Sequence, residues 1–196
     1  MIGIFLDIET TGLDSTRHAA IDLAFTMVDL RNGQVIDSYQ SLIALPDEIW
    51  AKKDPVSMEI NGYTWEQVKR VKLLSQVREE VLQKFKNAGI QRGSAVFICQ
   101  NPAFDRGFFA QIVDVYTQET LNWPYHWLDF ASMYWALLCR SVKEGGDPFP
   151  QSINLSKNSI GKLFSIPPEE VPHLAKNGVD HLISCYRRVV GFPESA

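Results

Sequence analysis

A chain of 196 residues, 45% of them hydrophobic, is long enough for one α/β domain with a sizeable core. A net charge of −4 argues against a protein that coats long duplex DNA, but not against an enzyme that grips one strand end, because bound cations offset acidic groups. No stretch is long enough to span a membrane, and three scattered cysteines, Cys99, Cys139 and Cys185, without metal-ligand spacing fit free buried thiols in a reducing, cytoplasmic setting.

The apolar opening at residues 1–6 is too short for a signal-peptide core and lacks a basic leader. Residues 3–8 instead read as a buried strand that runs into Asp7 and Glu9, with a turn over 10–14. Residues 20–30 and 34–44 form a strand pair joined at Asn32-Gly33, a strong hairpin signal. Residues 46–62 read as irregular. Thr64 with Gln67 at the capping-box position starts a short helix at Trp65. Leu74, Val77, Val81, Leu82 and Phe85 recur at helical spacing, and Asn87-Ala88-Gly89 stops that helix. A buried strand over 95–99 is followed by a helix over 104–116, a short strand over 127–129 and a helix over 131–142. Residues 144–151 form a loop. Asn154 or Ser156 caps a helix ending near Phe164, Pro167-Pro168 breaks the chain, and a last helix carries Leu182, Ile183, Tyr186, Val189 and Val190. Strands first, then strand and helix in alternation, predict one domain over 1–196, a mixed sheet with helices on both sides.

Asp7 and Glu9 lie two apart on a strand, so both carboxylates point the same way. A divalent cation of the magnesium type would relieve their repulsion. Taken alone, such a pair more often simply ends a strand at the surface. Asp105 adds a second acidic position after the 95–99 strand, where α/β sheets gather functional groups; it also reads as a helix-start aspartate favoured by the dipole. Residues 172–181 hold His173, Asp180 and His181. A histidine there is a candidate general base, and His181 reads as a surface helix residue.

Asp7-Ile8-Glu9-Thr10-Thr11-Gly12-Leu13 resembles the first motif of DnaQ-like (DEDDh) 3′→5′ exonucleases, the group with polymerase proofreading subunits, RNase T and oligoribonuclease. Asn101-Pro102-Ala103-Phe104-Asp105 resembles the second motif, and the segment around His173 the third, His-x-Ala-x-x-Asp. Ile60-Asn61-Gly62-Tyr63-Thr64 is similar to the family's His-Gly-Ile-Thr stretch, and Leu128-Asp129 falls where the family often has an aspartate-containing strand end. Gln100 stands where a histidine commonly precedes the second motif. The third motif departs more seriously. With His173 and Ala175 aligned, the aspartate position holds Gly178, and the nearest carboxylate is Asp180. An α-helix turns about 100° per residue, so Asp180 reaches the site only if Asn177-Gly178 is a turn and the helix begins at Val179. That arrangement is the expectation.

The resemblance implies an RNase H-like, five-stranded mixed sheet flanked by helices. It implies two divalent ions, Mg2+ or Mn2+, on Asp7, Glu9, Asp105 and Asp180, with His173 as the base. It further implies release of nucleoside 5′-monophosphates from single-stranded DNA or RNA 3′ ends. Thr10, Thr11, Gly12, Leu13, Asn101, Phe104 and Tyr63 are then the candidate substrate contacts, with Tyr63 and Trp65 stacking on bases or packing at a helix start. A polymerase or repair complex and a homodimer are partners the family allows and this sequence does not decide. The competing reading is an exonuclease-fold nucleic-acid-binding module whose catalysis is weakened or lost at Gly178.

Overall fold

The computed structural model describes residues 1–194. Its five strands are β1 (Ile2–Thr10), β2 (Ala20–Asp29), β3 (Gln34–Leu42), β4 (Ala95–Cys99) and β5 (Trp127–Asp129). They form one sheet in the order β3-β2-β1-β4-β5. The first three pair antiparallel, and β1, β4 and β5 run parallel. The carboxyl ends of the parallel strands therefore meet at one edge, where Asp7, Glu9 and the segment after Cys99 lie.

Four helices lie between β3 and β4: α1 (Asp47–Trp50), α2 (Pro55–Asn61), α3 (Trp65–Val68) and α4 (Leu74–Asn87). Between β4 and β5 come α5 (Pro102–Ile112) and α6 (Val115–Thr120). After β5 follow α7 (Phe130–Lys143), α8 (Lys157–Leu163) and α9 (Ala175–Val189). Strand alternation divides the core. Ile4, Leu6, Ile8, Leu23, Phe25 and Met27 face α4 and α5, against Val81, Phe85, Phe108 and Phe109. Phe5, Ala24, Val28 and Ile98 face α7, α8 and α9, against Phe130, Ile160, Val179 and Leu182. Asp7 and Glu9 continue the Phe5 face, toward α9.

Two helix expectations need correction. Residues 46–62 are not irregular, because Asp54 accepts from Ser57 N–H, Pro55 opens α2 and Gly62 ends it at φ 68°. The single helix over 104–116 is two, starting already at Pro102 and broken at Val113, where Asp114 caps α6 through Thr117 N–H. No helix among the described residues is long and apolar enough to cross a membrane.

Candidate active site

A cleft at the carboxyl edge of the parallel strands is lined by Asp7, Glu9, Asn101, Phe104, Asp105, Lys157, Glu169 and His173, among others. Each comes from a different local device. Asp7 and Glu9 sit at the end of β1, and Asp105 lies in the first turn of α5, buried. Lys157 opens α8, whose cap is Ser156 accepting from Ser159 N–H. Glu169 hangs from the segment between α8 and α9, its N–H donating to Asn158 Oδ1 at 2.9 Å. His173 N–H donates to Ile60 O at 3.2 Å, which ties it to α2.

Asp22, opposite Glu9 on β2, fixes the third segment. It is fully buried and accepts from Ala175 N–H at 3.0 Å, Tyr63 Oη at 2.6 Å and Gln40 Nε2 at 3.2 Å. A carboxylate on the first free N–H of α9 satisfies an orphan donor and complements the helix dipole. Asp22 thus sets where α9 starts. Tyr63 is consequently not free to stack on a base: it is buried and its hydroxyl is spent on Asp22.

The expected turn at Asn177-Gly178 is also corrected. Helix α9 begins at Ala175, and Gly178 N–H donates to Leu174 O inside its first turns. Asp180 then lies about 200° around from position 178. It is exposed and pairs with Lys176 instead of entering the cleft. His181, expected at the surface, is buried, with Nε2 2.9 Å from Pro167 O. Asp180→Asn is therefore expected to change neither activity nor cation affinity beyond twofold, measured by initial rates and calorimetry; a large loss in either would return Asp180 to the site.

Gly178 backs directly onto Asp7. A Cβ there would lie 2.6 Å from Asp7 Cγ and nearer still to Oδ2. The absent side chain lets the α9 backbone close on β1, and Gly178 O accepts from Lys157 Nζ at 3.0 Å. The same ammonium is 2.9 Å from Glu169 Oε2 and 3.9 Å from Asp7 Oδ1. Lys157 and Glu169 were not singled out from the sequence. The one signal available was the Glu169-Glu170 pair a few residues ahead of His173, inside a segment read only as a proline break.

The other expected contacts divide. Thr10 and Thr11 are buried and spend their hydroxyls on the turn, Thr10 Oγ1 donating to Gly12 O and Thr11 Oγ1 accepting from Ala19 N–H. Leu13 is 78% exposed beside them. Asn101 is exposed and Phe104 half-buried at the cleft. Asp129 caps α7 through Ala131 and Ser132 N–H. Gln100 Nε2 donates to Leu155 O at 2.7 Å, holding the approach to α8 against β4.

Burial first, and crowding by like charges second, set the protonation of this cleft. Burial, then the neighbouring Asp7 and Glu169 carboxylates, push Glu9 up to about 9. Burial raises Asp7 to about 6, although Lys157 pulls the other way. Burial and Asp7 raise Asp105. For Lys157, burial lowers the value, but Asp7 and Glu169 outweigh it and the net shift is upward. Carboxylates with raised values bind protons more tightly folded than unfolded, where they titrate near about 4. Their contribution is full below that range and is lost as pH rises through about 6 for Asp7 and about 9 for Glu9. The EDTA-treated protein should therefore melt at progressively lower temperature as pH rises over this window. Glu9→Gln should flatten the upper part; a wild-type melting curve independent of pH would contradict the crowding.

A divalent cation fits this donor set. One donor atom each from Glu9, Glu169 and His173 lie within 4.8 Å of one another. Glu169 Oε1 is buried without a hydrogen-bond partner among the described residues, and hard cations take such oxygen donors.

No family model and no curated protein sequence matches the chain. Solved structures do. A zinc-bound E. coli exonuclease I–single-stranded DNA complex superposes with a TM-score of 0.74 at 16% identity, over 96% of this chain and 40% of that one. Cell-death related nuclease 4 (CRN-4) gives 0.70 at 12% identity, over 96% and 63%. A full-length 3′-exonuclease gives 0.69 at 14% identity, over 96% and 60%. The chain thus spans less than two thirds of the length of these proteins. Its fold is the DnaQ-like exonuclease fold, a mixed five-stranded α/β sheet of the RNase H-like type.

Proposed function

We propose that this chain is a divalent-cation-dependent 3′→5′ exonuclease that releases nucleoside 5′-monophosphates from single-stranded nucleic acid. The observation that carries the reading is the convergence of Asp7, Glu9, Asp105 and His173 on one open cleft at the carboxyl edge of an exonuclease-type sheet. Asp7, Glu9 and Asp105 would hold the ions, magnesium or manganese and two by the family resemblance. When bound, these supply Lewis-acid stabilisation of charge on the scissile phosphate and leaving oxygen.

The remaining roles belong to the chain. His173, half-buried at the cleft, accepts the proton of the attacking water. Water adds to phosphorus, the bond to the 3′ oxygen breaks, and that oxygen takes a proton from solvent while the one held by His173 returns to solvent. Exposed Leu13 abuts the terminal base, while the turn from Thr10 to Gly12, held by its own hydroxyl bonds, presents backbone to the terminal nucleotide. Phe104 and Asn101 line the cleft itself.

End-labelled DNA and RNA oligonucleotides incubated with Mg2+ or Mn2+ test this reading and show the preferred sugar. Cleavage with either ion that stops in EDTA supports it. Folded protein that cleaves neither substrate with either ion overturns it in favour of a binding module, which the glycine at position 178 favours.

A further inference from the structure

The carboxylate that position 178 lacks has a counterpart elsewhere in the cleft. We propose that Glu169 is a metal-ligating carboxylate of this site, filling the part left vacant at Gly178, and that Lys157 is the positioning residue that holds it there. This inference rests on the cation-dependent reading above and adds a ligand to it.

The Glu169 side chain is 3% exposed. A carboxylate that deeply placed is costly unless paired and hydrogen-bonded. Lys157 satisfies only one of its oxygens, Oε2 at 2.9 Å. Oε1 has no hydrogen-bond partner among the described residues. It lies 3.9 Å from His173 Nδ1, and one Glu169 oxygen, one Glu9 oxygen and one His173 ring nitrogen fall within 4.8 Å of one another. A salt bridge kept for stability alone would not leave a buried oxygen without a partner at a site shared with a second carboxylate and an imidazole. Like charges brought this close repel, and a divalent cation between them turns that repulsion into coordination. Magnesium-type ions hold oxygens at about 2.1 Å, so two ligands of one ion stand up to about 4 Å apart, a spacing small side-chain rotations reach from here.

Lys157 accounts for how the substitution is built. Its ammonium touches Glu169, faces Asp7 and donates to the Gly178 carbonyl. The missing side chain at 178 and the added carboxylate from the 165–174 segment are therefore joined through one buried cation. Asp180, the alternative replacement, lies on the exposed side of α9 with Lys176.

Manganese titrated into the full chain by calorimetry tests the assignment without reference to turnover. Glu169→Gln is expected to weaken Mn2+ binding by more than tenfold while the circular dichroism and a cooperative melt are retained. Lys157→Met is expected to weaken it by about tenfold, as loss of a group that orients a ligand does, and Lys157→Arg to recover part of the loss. Should Glu169→Gln fail to fold, Glu169→Asp, which keeps the charge but shortens the reach, carries the same expectation. Folded Glu169→Gln or Glu169→Asp protein that binds Mn2+ as tightly as wild type overturns the proposal, and if Asp7→Asn still abolishes binding, the nuclease reading survives it. Wild-type protein that binds no Mn2+ and cleaves nothing overturns both.

Discussion

Asp7→Asn and Asp105→Asn are each expected to lower hydrolysis by about a thousandfold without unfolding the protein. Metal-ion stabilisation of a phosphoryl transition state is worth several kcal/mol, and each 1.36 kcal/mol is a factor of ten in rate. Replacing a ligand oxygen by an amide loses most of that. The fold should tolerate the change because both groups are crowded acids whose burial already favours the neutral form. In metal-free protein an amide at either position resembles the neutral acid that burial favours and leaves the shape intact. Melting temperatures equal to or above wild type in EDTA, together with rates at background, are the expected pair of results. A fully active Asp7→Asn enzyme would remove the site from this cleft.

Gly178→Ala is expected to destabilise the protein by about 1–3 kcal/mol, the usual cost of overpacking a tight site. The sign is the informative part. Alanine inside a helix is ordinarily better than glycine by about 1 kcal/mol. Here the added Cβ falls 2.6 Å from Asp7 Cγ, so α9 must retreat or Asp7 must turn. Either movement also disturbs the Lys157 bond to Gly178 O, and activity should fall with stability. For the same reason Gly178→Asp, which restores the family's third-motif aspartate by alignment, should lower activity instead of raising it. Urea unfolding of the two variants, with rates on a single-stranded oligonucleotide, reads both effects. A Gly178→Asp enzyme faster than wild type would mean that the cleft still has room for its original ligand.

The sheet was legible because its strands carry their own signals: the acidic end of β1, the Asn32-Gly33 hairpin and the apolar run of β4. That Asp7, Glu9 and Asp105 meet at one cleft was legible for the same reason, as short motifs on adjacent elements. Helix boundaries depended on caps that sequence order hides. Asp22 sets the start of α9 from a strand 153 residues earlier, so Asn177-Gly178, a reasonable turn on local propensity, is held as helix by a tertiary hydrogen bond. With α9 beginning at Ala175, Asp180 falls on the exposed side of the helix and Gly178 lies directly against Asp7. Tyr63 was legible only as a ring that stacks on a base or packs at a helix start, because nothing nearby in sequence announces Asp22 as its partner. Glu169 and Lys157 were illegible on their own: an acid beside prolines and a lysine at a helix start take on meaning only when brought within 2.9 Å of each other behind Asp7.

The most direct measurement of the central claim is the polarity and product of cleavage. One single-stranded oligonucleotide is labelled at its 5′ end in one reaction and at its 3′ end in another, with Mg2+ or Mn2+, and with Asp7→Asn protein and EDTA as controls. The expected results are a ladder shortening from the 3′ end with the first label, immediate release of a labelled mononucleotide with the second, and neither in the controls. Internal fragments at the outset, release from the 5′ end, or cleavage undiminished by EDTA and by Asp7→Asn would contradict it.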